Sequence, residues 1–205
     1  MKTIITIQHT QSVHHTNGMV GSWTDWDLTD YGRQQAAYIG KKLKEELQEK
    51  QFVMYSSDLK RAQQTADIVG GYLGITPILK DALRERNLGK AVGKSVQWLR
   101  ENIECQEKTV DDRMFSDAEC QRDVWNRLHT FFEEMMQEEQ ENIILVSHGG
   151  LLSLFNLMWL GMDVEALNFC DLFGFSGGVS LMSEKHDGKR CIRKLSDMSY
   201  IQECI

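Results

Sequence analysis

Two histidines in this sequence each follow an apolar run of strand length. Ile4-Ile5-Thr6-Ile7 leads through Gln8 into His9, and Ile143-Ile144-Leu145-Val146 leads through Ser147 into His148. Such runs read as buried strands, and the polar residues after them as loops leaving the C-terminal ends. In open α/β sheets, ligands bind in the crevice outside the carboxyl ends of the strands. If the two strands are parallel neighbours, both imidazoles project into one crevice. A third run, Phe52-Val53-Met54-Tyr55, ends before a helix whose first turns carry Arg61. A helix N-terminus with an arginine nearby is a ready anion site. Two imidazoles, a guanidinium and a helix N-terminus at one sheet edge make a site for phosphate.

The elements needed to hold these groups follow from periodicity. Ala36, Ile39, Leu43 and Leu47 recur at helical spacing after Thr29, which can cap that helix, with Asp30 in its first turn. A second helix runs from about Asp58 to Leu73, and Ile75 to Leu79 is a short extended piece around the only proline. From Lys80 to Phe115 the pattern weakens, with a short helix near Val96 to Ile103. We read this part as an excursion over the sheet, a cap at about 85–115. Ser116-Asp117-Ala118-Glu119 reads as a capping box opening a helix with Val124, Leu128, Phe131 and Met135 at core spacing. Another helix spans Leu151 to Leu160. Phe169 to Phe173, Val179 to Ser183 and Cys191 to Leu195 read as strands. The alternation predicts an α/β fold over residues 1–205, a three-layer α/β/α sandwich with a mostly parallel central sheet.

Bulk properties narrow the classes. At 205 residues, 41% hydrophobic and 26% charged, the chain can bury a full core. A net charge of −7 argues against a nucleic-acid surface and requires an anionic substrate to be held by a local positive site. The start is too short for a signal-peptide core, and the apolar stretch Leu151 to Met162 is too short and too interrupted to span a bilayer. No membrane association and a cytoplasmic location are expected. The five cysteines, Cys105, Cys120, Cys170, Cys191 and Cys204, include no CxxC pair and read as reduced structural thiols. Oligomeric state is not readable. His14 and His15 read as solvated loop residues rather than metal ligands, and Trp23 and Trp26 as either packing or a substrate wall.

Four segments in order resemble the histidine phosphatase superfamily, the phosphoglycerate mutase-like fold of branch 1 type. Gln8-His9-Thr10-Gln11-Ser12 stands where that family has Arg-His-Gly-Glu-Thr. Leu28-Thr29-Asp30-Tyr31-Gly32-Arg33-Gln34-Gln35-Ala36 resembles its Leu-Thr-x-x-Gly-x-x-Gln-Ala. Ser56-Ser57-Asp58-Leu59-Lys60-Arg61-Ala62-Gln63-Gln64-Thr65-Ala66 resembles its Ser-Ser-x-x-x-Arg-Ala-x-x-Thr-Ala, and Ser147-His148-Gly149-Gly150 its second histidine motif. Leu83-Arg84-Glu85 followed by Gly89 is similar to the segment that carries the family's acid.

The resemblance implies roles. His9 would attack phosphorus and become a phosphohistidine, Arg61 and His148 would grip the phosphoryl oxygens, and Glu85 would act as general acid and then base. Gln8, Gln11, Ser12 and Gly149 would lie around the phosphate. At the place of the family's phosphate-binding asparagine, His15 has the spacing and Asn17 the chemistry. No metal or other cofactor is implied. Gln8 in place of the motif's first arginine loses a charged donor worth about 1.5–3 kcal/mol and should leave His9 easier to protonate. The expected function is hydrolysis of a small phosphorylated metabolite, the short excursion favouring a phosphatase over a mutase. The alternatives are a phosphoglycerate mutase, or a catalytically weakened relative that binds a phosphorylated ligand or partner.

Two other motifs lack their context. Gly89-Lys90-Ala91-Val92-Gly93-Lys94-Ser95 is one residue short of a P-loop and follows no clear strand. Gly174-Phe175-Ser176-Gly177-Gly178 fits a serine-hydrolase elbow but is flanked by strands and followed only by His186.

Overall fold

The structure, a computed structural model, describes residues 1–47 and 50–204. In chain order its elements are β1 (Thr3–Gln8), α1 (His14–Asn17), α2 (Asp30–Leu47), β2 (Val53–Ser56), α3 (Lys60–Leu73), β3 (Ile78–Leu79), α4 (Val96–Asn102), α5 (Gln121–Gln137), β4 (Asn142–Ser147), α6 (Gly149–Trp159), β5 (Val179–Glu184) and β6 (Arg190–Asp197). The strands form one sheet in the order β3-β2-β4-β1-β5-β6. β3, β2, β4 and β1 run parallel, and β5 and β6 add an antiparallel edge.

The continuous apolar runs in β1 and β4 are explained by burial on both faces. Ile4, Ile143 and Leu145 pack with α5 and α6 residues such as Leu128, Phe131, Leu151 and Phe155. Ile5, Ile7, Ile144 and Val146 pack on the opposite face with Ile39 and Leu43 of α2 and Ala62, Ala66 and Val69 of α3. These two cores give the three-layer sandwich expected from the sequence. The excursion carries a small cluster of its own, in which Ala91, Phe115 and Ala118 are buried against Leu88, Trp98, Leu99 and Met114.

Register positions the site. Gln8 pairs with Ser147 across β1 and β4, so His9 and His148 leave the sheet at the same level. Ser56 of β2 pairs with Val146, which brings Ser57 to that level too. The loop after β1 is pinned to the start of α2. Thr29 accepts from the Gly32 N–H at 3.0 Å and donates to the side-chain oxygen of Gln11 at 2.7 Å. Gly32 permits that approach, since a Cβ there would stand 1.9 Å from the Gln11 carbonyl oxygen.

Two sequence expectations are corrected. Ser116–Glu119 is not the capping box of α5. The cap is Cys120, whose N–H donates to Asp123 at 2.9 Å, whereas Glu119 is turned away to accept from the Asn87 N–H and from Arg127. Phe169 to Phe173 is not a strand. The chain beside it is held by α6 side chains: Ser153 accepts from the Leu172 N–H, and Asn156 donates to the Leu172 carbonyl. Backbone groups satisfied by a helix have no need of a ladder, and the two polar residues that interrupt the apolar run of α6 supply those partners. The loop after His9 also contains a helical turn, α1. Cys105, Cys120, Cys170 and Cys191 are free thiols, while the side chain of Cys204 lies outside the described residues. No helix among the described residues is long and apolar enough to cross a membrane.

Candidate active site

A cavity of about 370 Å³ opens at the carboxyl ends of β1 and β4, within the size range of small-molecule sites. Its wall includes Gln8, His9, His14, His15, Arg61, Glu85 and Gly149. His9 is almost fully buried. Its Nδ1 lies 2.9 Å from the carbonyl oxygen of Thr10, which can only accept, so Nδ1 carries the proton. The lone pair is therefore on Nε2, where the Arg61 Nε–H donates at 3.2 Å. Burial, then the Arg61 charge, then His15 and His14 hold the His9 pKa well below the usual imidazole value, against a raising contribution from Thr10. His9 is thus a neutral imidazole with a defined free nitrogen, the form a nucleophile requires.

Arg61, in the first turn of α3, is 1% exposed. Its Nη1 donates to the Thr24 carbonyl at 2.9 Å and its Nη2 to the Ser22 carbonyl at 2.8 Å. With the bond to His9, three of five N–H groups are used, leaving two for an anion. Burial lowers its pKa to about 10, so it stays charged at neutral pH.

His148 caps α6 behind His9, with ring centroids 5.1 Å apart in an edge-on arrangement. Its Nε2 is 2.9 Å from the Ser57 hydroxyl, and its Nδ1 is buried with no hydrogen-bond partner. An unpaired buried polar atom costs about 1–3 kcal/mol; His148 is not in the lining of the cavity, and an oxyanion that reached it would satisfy an Nδ1–H there. Burial and the Arg61 charge hold His148 neutral as well. Glu85 reaches the cavity from the start of the excursion. Its carboxylate accepts from the Gly150 N–H at 3.1 Å and from the Arg86 N–H at 2.9 Å. The first turn of α6 thus orients the Glu85 carboxylate toward the cavity.

His15 stacks on His9 with 5.4 Å between centroids and 9° between planes. Its Nδ1 accepts from the Ser12 N–H at 3.2 Å, which puts the His15 proton on Nε2 and makes that atom a donor. His14 lies 4.0 Å from His15, centroid to centroid, with Nδ1 2.5 Å from the Ser12 hydroxyl. Burial and the neighbouring His15 lower the His14 pKa to about 3. The solvated reading is corrected for His14, which is half-buried; His15 is exposed, and both rings line the cavity. His9, His14 and His15 could gather a cation, their ligand atoms lying within 4.8 Å of one another. The Arg61 guanidinium at His9 Nε2 opposes a cation there, and the His15 tautomer presents a proton rather than a lone pair.

The remaining motif residues divide. Gly149 lines the cavity. Gln8 does too, but the amide orientation that satisfies both its ends has the NH₂ group donating to the Gly174 and Phe175 carbonyls, each 3.3 Å away. Gln11 faces α2, Ser12 holds His14 and His15 from beneath, and Asn17 accepts from the Met19 N–H on the surface. None of these three lines the cavity. His15 rather than Asn17 is the residue at hand. Sequence reasoning missed His14, Ser22 and Ser57; only the turn of α1 brings the first into the cavity, and the others act through carbonyl or hydroxyl contacts that no spacing reveals. Ser176, from the hydrolase-like motif, donates to the His9 carbonyl at 2.9 Å and so anchors the β1 loop. In the P-loop-like stretch, Gly89–Ala91 is a 3₁₀ turn within the excursion.

A protein of Hydrogenobacter thermophilus provisionally named phosphoserine phosphatase 2 is 26% identical over 179 residues, 82% of this chain and 83% of that one. The 2,3-bisphosphoglycerate-dependent phosphoglycerate mutase of Bartonella tribocorum is 28% identical over 176 residues, 81% of this chain and 85% of that one. In fold, the chain resembles Bacillus stearothermophilus YhfR, with a TM-score of 0.83 at 24% identity over 98% of this chain and 100% of that one. It also resembles the mycobacterial glucosyl-3-phosphoglycerate phosphatase, with a TM-score of 0.79 at 20% identity over 95% and 98%. The family model of the histidine phosphatase superfamily (branch 1) matches residues 4–195. That match runs from β1 into β6 and passes through every strand end that supplies the cavity, so this chain belongs to the histidine phosphatase superfamily, branch 1.

Proposed function

We propose that the chain hydrolyses small phosphomonoesters through a phosphohistidine on His9. The observation that carries this reading is the fixed tautomer of His9, with Nδ1–H on the Thr10 carbonyl and the Nε2 lone pair in the cavity beside Arg61. In the first step Nε2 attacks phosphorus, the P–O ester bond breaks, and protonated Glu85 delivers its proton to the leaving alkoxide. In the second, water attacks phosphorus as Glu85 takes its proton, the P–N bond breaks with its electron pair returning to His9 Nε2, and phosphate leaves. Arg61, the His15 Nε2–H and the His148 Nδ1–H supply donors for oxygens that carry charge throughout.

The leaving group would extend into an adjoining cavity of about 410 Å³ that shares Gln121, Gly150 and Phe173 with the first. Of the two cations in the wall, Arg61 is committed to the phosphoryl group. Arg86 is matched by Glu107 in a two-pronged pair at 2.7 and 3.2 Å. Lys108, in the wall of the adjoining cavity, is a further cation available to the leaving group. Solved structures of the mycobacterial glucosyl-3-phosphoglycerate phosphatase include complexes with inorganic phosphate and with VO3, ligands of the kind this cavity would accept.

The test is p-nitrophenyl phosphate turnover by wild type and His9→Ala, with an acid-labile phosphoenzyme sought by rapid quench. Wild-type turnover no greater than that of His9→Ala would refute the hydrolase. It would favour the reading in which the neutral Gln8 has left a phosphoryl-binding protein, and phosphate affinity would then be the property to measure.

A further inference from the structure

Between α1 and α2, the residues Ser22, Trp23 and Thr24 touch both halves of the chemistry. The Ser22 and Thr24 carbonyls accept from the two terminal nitrogens of Arg61, at 2.8 and 2.9 Å. The Ser22 hydroxyl donates to the Arg86 carbonyl and accepts from the Leu88 N–H, each at 2.9 Å. The Trp23 indole N–H donates to the Glu85 carbonyl at 2.6 Å, and the Trp23 ring lies against the Arg84 guanidinium, 4.8 Å from its centroid. One three-residue turn thus fixes the oxyanion grip on one side and the backbone of the acid on the other.

Ser22 adopts a φ of 36°, in the left-handed region where side-chain-bearing residues are rare, and it is 5% exposed. Such a conformation persists only where the surroundings over-determine it, and it clusters at functional sites. Here the surroundings are the three bonds just named. The burial of Arg61 sharpens the requirement, because a desolvated guanidinium with free donors is costly, and the two carbonyls both satisfy and aim it.

We propose that Ser22–Trp23–Thr24 is a positioning clamp that locks the Arg61 guanidinium and the Glu85 backbone into one geometry, with Ser22 as the coupling residue. The proposal rests on the hydrolase reading above. It also settles the tryptophan: Trp23 is neither filler nor substrate wall, since its indole N–H is spent on Glu85 and it does not line the cavity. A clamp of this kind acts through the acid as well as the grip. Its loss should therefore hurt a substrate that needs a proton on its leaving group more than one that does not.

The experiment compares p-nitrophenyl phosphate, a good leaving group, with β-glycerol phosphate, a poor one, in wild type, Ser22→Ala, Ser22→Gly and Trp23→Phe. It also measures the Kd of inorganic phosphate. Expected is a fall in kcat/KM at least about tenfold larger for β-glycerol phosphate than for p-nitrophenyl phosphate in all three variants. Both Ser22 variants should weaken phosphate binding by about threefold or more. Ser22→Gly removes the hydroxyl while relieving the backbone, so it carries the test if Ser22→Ala does not fold. Equal losses on both substrates with an unchanged phosphate Kd, or no losses, would overturn the clamp. Should wild type hydrolyse neither ester, the hydrolase reading fails by itself. The phosphate Kd then decides the clamp: weakened in both Ser22 variants it stands, unchanged it falls.

Discussion

The Arg61 Nε–H donates to Nε2 of His9 at 3.2 Å, so the cation proposed to grip a phosphoryl group also rests on the lone pair proposed to attack it. This contact fixes the tautomer and keeps a buried imidazole neutral. An incoming phosphoryl group must replace the bond, and the guanidinium can then pass its donors to the equatorial oxygens without moving far.

A lysine cannot reproduce that fork. Arg61→Lys keeps the charge but loses the planar set of donors to His9, Ser22 and Thr24. Its kcat/KM for p-nitrophenyl phosphate should fall by about 10²–10³. Retention of more than half the wild-type value would show that charge alone suffices.

Acidic pH should be tolerated by catalysis. Because burial and Arg61 lower the His9 pKa, the nucleophile stays unprotonated below the usual imidazole range. The acid limb of kcat/KM, corrected for ionisation of the ester, should lie below the ordinary imidazole value of about 6.5. A limb at or above about 6.5 would contradict the neutral, buried His9.

Gln8→Arg would place a charge beside His9 instead of an amide spent on the Gly174 and Phe175 carbonyls. Turnover should rise by about tenfold, and the acid limb should move to still lower pH, because an added cation disfavours protonation of His9. If neither the rate nor the limb changes, position 8 does not address the phosphoryl group in this chain.

Stability should run the other way. His9, His14, His15 and His148 all have lowered values in the fold. Below about pH 6.5 the unfolded chain takes up protons that the folded one refuses, so stability is full above that pH and declines as pH falls through the window toward the folded values. The melting temperature should therefore drop between pH 7.5 and 5, less steeply in His14→Gln. A wild-type melting temperature that is flat or rises on acidification would count against the buried neutral cluster.

Gly150→Ala probes the acid by crowding, since a Cβ there would sit 2.7 Å from a Glu85 carboxylate oxygen. The carboxylate would have to swing off the helix terminus. We expect a loss of about tenfold on alkyl phosphates and a smaller one on aryl phosphates. Parallel loss on both would place Glu85 outside leaving-group protonation.

Much of this was legible in the chain itself. The apolar runs of β1 and β4 name buried parallel strands because burial on both faces demands continuous hydrophobic sequence, and the helical periodicity of Ala36, Ile39 and Leu43 names the layer above them. The histidines and the arginine could be read from where they follow those elements. Elements set by partners rather than by their own pattern could not. The stretch from Phe169 looks like a strand until Ser153 and Asn156 of α6 take its backbone bonds, and the cap of α5 moves to Cys120 because Glu119 is drawn to Asn87 and Arg127.

The sequence by itself determined the sandwich, the family and the groups at the strand ends, because local periodicity and ordered motifs encode them. Tertiary structure alone decided that Gln8 pairs with Ser147 and so sets His9 level with His148. It also decided that His14 and His15 turn inward, that Gln11, Ser12 and Asn17 do not face the cavity, and that Ser22 ties Arg61 to the Glu85 segment. Register, tautomer and carbonyl contacts arise between segments far apart in the chain, and no single segment carries a pattern that specifies them.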